Sequence, residues 1–252
     1  LKDNALERAR GLFRAIAAEA GLTEADVSVL AKPLTPEEAI GTPGRRDFPI
    51  LVGRERVVEA RVGEGRGHAF TDTAREFVGR LSEVIERPLD DNGGRAVYVA
   101  ALNATLVHLG RIQGAVHCRD DDPELCGAEI AESVGRRVGE QGVVGLIGFN
   151  PAIADHLVGR FGSQRVRITD LNPSNIGERK FGVEVWDGGT RTDDLIDAAD
   201  LVLFTGSTLV NGSFDAIDER VRSRNKIGLV YGVTAAGVAE LLGYERTCPY
   251  GR

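Results

Sequence analysis

At 252 residues, 42% hydrophobic and 27% charged, the chain is long enough to bury one large core or two smaller ones. A formal net charge of −7 with no basic stripe argues against nucleic acid or an anionic membrane as a partner. No apolar run approaches the roughly 18 residues a membrane-crossing helix needs, and no signal peptide opens the chain, so a cytoplasmic location is expected. Leu1 comes first and methionine is absent, which leaves the native start open.

The first predicted element is a helix over residues 6–16, where Leu6, Ala9, Leu12, Phe13 and Ile16 recur at helical spacing and Gly21 can end it. Thr35-Pro36-Glu37-Glu38 reads as a capping box, with Thr35 as N-cap, Pro36 at the first helical position and Glu38 closing it. Residues 49–71 suggest a strand hairpin, with arms at 49–52 and 57–62 and a glycine-rich turn at 63–67. Two helices follow at 73–86 and 94–110. The first shows Phe77, Leu81, Val84 and Ile85 on one face; the second is small and apolar nearly all round, hence central and buried. The acidic, proline-containing stretch 119–124 reads as a loop between domains. Beyond it helices (124–139, 151–160, 192–198, 214–223, 235–242) alternate with strands (143–147, 165–169, 183–186, 201–204, 227–231). Such alternation predicts right-handed βαβ units around a parallel sheet.

Three of those strands lead into polar, glycine-bearing loops at 148–151, 205–212 and 232–237. In an open parallel sheet the carboxyl ends of the strands share one rim, so the loops converge on one ligand. Asn150-Pro151 suits a helix start, where Asn150 either caps the free N–H groups or leaves them to an anion. That loop has Gly148 alone, against three glycines in the dinucleotide fingerprint. Asp170 ends its strand, where an acid can hold a ribose hydroxyl or equally cap a turn. Asn172 and Asn175 add amides beside it. Thr205, Gly206, Ser207, Thr208 and Asn211 give the strongest single signal. Gly206 allows a close backbone approach or a positive φ, and the hydroxyls suit a carboxylate or phosphate. Self-capping of the next helix is the alternative. Thr234 either caps the last helix or adds a hydroxyl to the same cleft.

His117, Cys118 and Cys126 flank an acidic run, and Cys248 completes a site if the tail folds back. Thiolate and imidazole suit zinc and softer metals, so these four are candidate ligands for a soft or transition metal ion, with buried structural thiols as the alternative. Three cysteines without a secretion signal do not suggest a disulfide framework. His68 is placed to face the cleft, His108 reads as a core histidine and His156 as solvated. No Ser-His-Asp order, HExxH, Walker loop or C-x-x-C is present, so hydrolase and redox readings lack a motif.

Ala31-Lys32-Pro33-Leu34-Thr35-Pro36-Glu37-Glu38-Ala39-Ile40-Gly41, Gly67-His68-Ala69-Phe70-Thr71-Asp72 and Ala101-Leu102-Asn103-Ala104 resemble the first domain of the family labelled putative heavy-metal chelation. The 205–212 loop and Tyr231-Gly232-Val233-Thr234-Ala235 resemble its second. The resemblance implies an α/β protein: a small α+β, enolase N-terminal-like domain over residues 1–115, then a Rossmann-like, mostly parallel sheet domain over 116–252. It does not imply enolase chemistry, since the catalytic barrel is absent.

Two functions follow, beside the bland reading of a structural partner whose cleft is vestigial. One is a binding protein of the chelation type, holding a heavy metal or small ligand between the domains at the strand ends. The other is a transferase or lyase acting on a nucleotide-like substrate such as S-adenosylmethionine, with Asp170 on the ribose and the 205–212 loop on a carboxylate or phosphate. The first is favoured because no acid–base pair or nucleophile stands out. The oligomeric state is left open, a homo-oligomer included.

Overall fold

The computed structural model describes residues 4–23, 28–52 and 55–252. Helix α1 (Ala5–Glu19) starts at Asn4, whose side chain accepts from the Glu7 N–H, and buries Leu6, Ala9, Phe13 and Ala17. After β1 (Ser28–Leu34) comes α2 (Pro36–Ile40), where both halves of the Thr35–Glu38 capping box form. Residues 49–52 are not a hairpin arm but the one-turn helix α3 (Pro49–Val52). Pro49 is pre-set for a helix start, and the Leu51 and Val52 N–H groups turn back onto the Phe48 carbonyl. The hairpin pairs β2 (Arg56–Val62) with β3 (Gly65–Thr71). A further correction falls at 77–80, which is strand β4 (Phe77–Arg80) paired with β1. Helix α4 (Leu81–Glu86) begins only where Glu83 takes the Arg80 N–H. The four strands form an antiparallel sheet in the order β3-β2-β1-β4.

Helix α5 (Asn92–His108) lies across β2 and β3 and is buried on nearly every side from Gly93 to Leu106. α6 (Asp122–Val138) begins inside the acidic stretch, with Pro123 in its first turn, so the connecting loop is shorter than expected. The chain then runs through β5 (Val144–Ile147), α7 (Pro151–Phe161), β6 (Val166–Asp170), β7 (Arg179–Lys180) and β8 (Val183–Asp187). It returns through α8 (Thr192–Ala198), β9 (Leu201–Thr205), α9 (Ser207–Asn211), α10 (Phe214–Ser223), β10 (Ile227–Tyr231), α11 (Ala236–Leu242) and β11 (Arg246–Thr247). These strands form a second sheet in the order β11-β10-β9-β5-β6-β8-β7, parallel except for β7. From β5 the chain winds outward through β6 and β8, then crosses back to wind the other way from β9. The reversal opens a crevice between the β5 and β9 ends, where such sheets bind ligands.

One hydrophobic core joins the two sheets. It runs from Phe13, Val58, Tyr98 and Leu102 to Val202, Phe204, Leu209 and Phe214. A second, on the other face of the large sheet, contains Ile130, Leu146, Ile153, Leu157, Ile168 and Leu203. Among the described residues no helix is long and apolar enough to cross a membrane.

Candidate ligand site at the strand ends

The three glycine-bearing loops meet at the carboxyl rim of the large sheet. Gly148 donates its N–H to the Thr169 carbonyl (2.9 Å) and accepts the Tyr231 hydroxyl on its own carbonyl (2.7 Å). Gly206 donates to the Tyr231 carbonyl (2.8 Å). Two glycines are required for distinct reasons. Gly148 has a φ of 88°, and a Cβ there would stand 2.6 Å from Thr205 Cγ2. Gly206 has an ordinary φ of −60°, but a Cβ would lie 2.7 Å from the Ala235 nitrogen, so close approach decides it.

Between this rim and the first sheet lies a cavity of about 510 Å³. Phe48, Ile50, Phe70 and Phe149 give it apolar wall, while Asn150, Asp170, Asn172, Thr205, Ser207, Thr208, Asn211 and Thr234 all line it. Of the rim residues expected from sequence, Gly206 alone stands behind the surface. Several of these polar groups are already engaged. Asn150 caps α7 by accepting from the Ile153 N–H (3.1 Å). The 205–212 segment closes into the single turn of α9. The Thr208 hydroxyl donates to the Thr205 carbonyl (2.6 Å), Thr205 Oγ1 sits 3.0 Å from Ser207 Oγ, and Asn211 Oδ1 accepts from the Ser213 N–H and hydroxyl. Thr234 makes no helix-capping bond; its hydroxyl accepts the Phe70 N–H (3.1 Å) from β3 and so ties the two sheets together.

Asp170 accepts three N–H donors: from Phe149 (3.0 Å), Asn172 (2.7 Å) and the Asn175 amide (3.1 Å). Its carboxylate thus braces the 148–150 loop, which leaves little of it for a ribose. Beside it stands Glu55, on the connection from α3 into β2. Burial, and then the charge of Asp170, raise the Glu55 carboxyl to about 7. Burial likewise raises Tyr231 above the ordinary phenol range, with Thr205 hydrogen-bonding against it.

His117 parts company with its cysteine neighbours. Its ring lines the cavity 5.2 Å from the Phe70 ring. Nδ1 bonds the Cys118 carbonyl (2.6 Å), so that nitrogen carries the proton and Nε2 keeps its lone pair. Burial, then the neighbouring His68, push it down to about 4. His68 is almost wholly buried and does not face the cavity. It accepts the His117 backbone N–H on Nδ1 (3.1 Å), which places its own proton on Nε2, toward Glu59 (3.1 Å). Burial opposes charge on Glu59, but bonds from His68, Arg66 and Arg61 outweigh it and hold the carboxyl well below the usual range. His108, expected in the core, ends α5 exposed. His156 lies in the open beside Glu124.

The tail does fold back: Val116 and Arg252 exchange backbone hydrogen bonds of 2.7 and 2.8 Å. This brings the Cys126 thiol into contact with both Cys118 and Cys248. All three are free thiols. A hydrogen bond that the Cys126 thiol donates to Cys118 is the largest cause raising Cys126 to about 12, and contact with Cys126 raises Cys248 as well. Among the described residues no three His, Cys, Asp or Glu side chains are grouped so as to hold a metal ion.

Sequence reasoning missed Glu55, Thr169 and Tyr231. Tyr231 ends β10 and Thr169 precedes Asp170, the last residue of β6, so the rim argument extended by one residue finds them. Glu55 carries no local signal; the fold alone brings it to Asp170.

No curated protein matches the chain. A DUF364-family protein of unknown function from Pyrococcus horikoshii has a similar structure: TM-score 0.55 at 17% identity, over 92% of this chain and 80% of that one. Another, from Desulfitobacterium hafniense, matches 74% of this chain and 72% of its own with a TM-score of 0.49 and 14% identity. The first likeness concerns the fold alone. In sequence the match falls on the βαβ half: residues 131–245 are similar to the model of the DUF364 family, described as "Putative heavy-metal chelation".

Proposed function

We propose that this is a binding protein of the chelation type, which holds a small organic ligand, free or carrying a heavy metal, in the cleft between the two sheets. The observation that carries this reading is the cavity itself. About 510 Å³ suits a small molecule, and it lies at the switch point of a parallel sheet, lined by apolar rings together with carboxylates, amides and an imidazole. The family description supports it. Native mass spectrometry with elemental analysis, on protein purified without chelators, is the test. A small organic mass, with or without a metal, is the expected result. A thiophilic metal with no organic mass, lost when Cys118 and Cys126 are both changed to Ser, would move the site to the cysteines and overturn the cleft reading.

One observation favours an enzyme as the second reading. Glu55 at about 7 and the neutral His117 line one cavity, which is the acid–base pair the sequence did not display. A transferase or lyase would use them to move a proton on bound substrate. The nucleotide form of that reading gains less support, because Asp170 is committed to three protein donors.

A further inference from the structure

We propose that the cleft is built for an organic cation, a small molecule whose protonated amine or onium centre sits beside Glu55 and Asp170 while its apolar part lies on Phe48, Phe70 and Phe149. This rests on the cleft being the ligand site and names the class of ligand.

The charge argument comes first. The titratable side chains facing the cavity are Glu55, Asp72, Asp170, Asp193, Arg220, His117 and Tyr231. Arg220 is the guanidinium among them, and its Nε lies 2.6 Å from Asp193 Oδ1, so that pair cancels. His117 is uncharged at neutral pH. Tyr231 stays protonated. Glu55, Asp72 and Asp170 are left without a cationic partner among the described residues. An anion entering there meets like charge from Glu55 and Asp170 on the wall and Asp72 at its exposed edge, whereas a cation relieves it.

A second, independent observation concerns Thr169. It is wholly buried on the cavity wall, and its hydroxyl has no hydrogen-bond partner. Buried hydroxyls without a partner are rare in folded proteins, and a polar group on a ligand would satisfy this one. The apolar lining adds a third constraint. Aromatic rings attract a cation through their faces and an apolar body through contact, so the ligand is amphiphilic rather than a bare ion.

Two fragments of similar size and opposite charge, phenethylamine and phenylpropionate, test this by titration into the nitrogen-15-labelled full chain at millimolar concentration. Phenethylamine is expected to move the amide signals of residues 148–150, 169–172 and 205–208, and Glu55→Gln to weaken it about tenfold, the equivalent of one lost charge contact. Signals outside the cleft report whether that variant is folded. If phenylpropionate moves the same amides as strongly, the charge assignment is overturned while the cleft stands as a ligand site. If neither moves them, the proposal is overturned, and the native mass measurement decides separately whether the cleft holds anything.

Discussion

Glu55 illustrates how a single carboxyl records the purpose of its surroundings. Its folded-state value of about 7 lies above the ordinary 4.5 of a free glutamate, because burial and Asp170 both resist its charge. A carboxyl raised in this way favours the folded state fully only below its unfolded value, and that contribution is lost as pH climbs through the folded value. The empty protein therefore loses stability between about pH 4.5 and 7 through this residue. Glu55→Gln removes the ionisation while keeping the shape. It should match the wild type near pH 5 and exceed it near pH 9, by on the order of 2 kcal/mol, less whatever partial solvent access screens. Urea melts at the two pH values check this. A difference that does not change with pH would mean that water reaches Glu55 freely. Glu59 behaves in the opposite way, since bonds from His68, Arg66 and Arg61 hold its carboxyl low, while burial keeps His68 neutral and its Nδ1 accepts the His117 backbone N–H. His68 is thus a positioning residue for the His117 ring.

At the scale of elements, the joint between the sheets hangs on α5. Asn103, fully buried on that helix, donates from its amide nitrogen to the carbonyls of His68 (3.0 Å), Val233 (3.2 Å) and Thr234 (3.3 Å). Its oxygen accepts the Gly237 N–H (2.7 Å) at the start of α11. Asn103→Leu has nearly the same volume but strands that N–H and those carbonyls in the core. It should cost about 3 kcal/mol or more, measured by urea denaturation. A loss under about 1 kcal/mol would mean that water replaces the amide. The sequence shows Asn103 only as one polar residue in an apolar helix; its four partners lie far along the chain. The same contrast runs through the other elements. The helices at 192–198 and 214–223 and the strand at 227–231 appear where periodicity puts them, because each is a complete unit of a βαβ repeat. Residues 49–52, 77–80 and 207–211 were misread because each is only four or five residues long, too short for a period to show. Val78 is strand because Leu30 pairs with it across the sheet. The rim of the site was legible for a related reason. A glycine after a buried apolar run is a local signal, whereas a carboxylate delivered from another sheet is not.

On the scale of the whole molecule, the two sheets do not behave as two separate cores. Along the chain the strands of the two sheets are divided, those of the first ending at Arg80 and those of the second beginning at Val144. Packing ignores that division: one cluster holds Val58 and Leu102 together with Val202, Phe204 and Phe214. Helix α1, first in the chain, lies on α11, with the Ala5 N–H on Asp215 (2.7 Å) and Arg8 on the Tyr244 hydroxyl (2.9 Å). The tail returns to pair with Val116. Removing residues 1–115 would expose the Val202–Phe204–Phe214 face to water, at roughly 25 cal/mol for each Å² uncovered. The cleft would also lose Glu55 and its phenylalanine wall at 48 and 70. Unfolding should therefore be one cooperative event. Trp186, the sole tryptophan, reports the second sheet by fluorescence, and far-ultraviolet circular dichroism reports all helices and strands. In urea the two curves should share one midpoint, and residues 116–252 expressed alone should give a poorly dispersed amide spectrum. Two separated midpoints, or a well-dispersed spectrum from the fragment, would make each sheet its own folding unit. The ligand would then sit at a hinge between them rather than inside a single body.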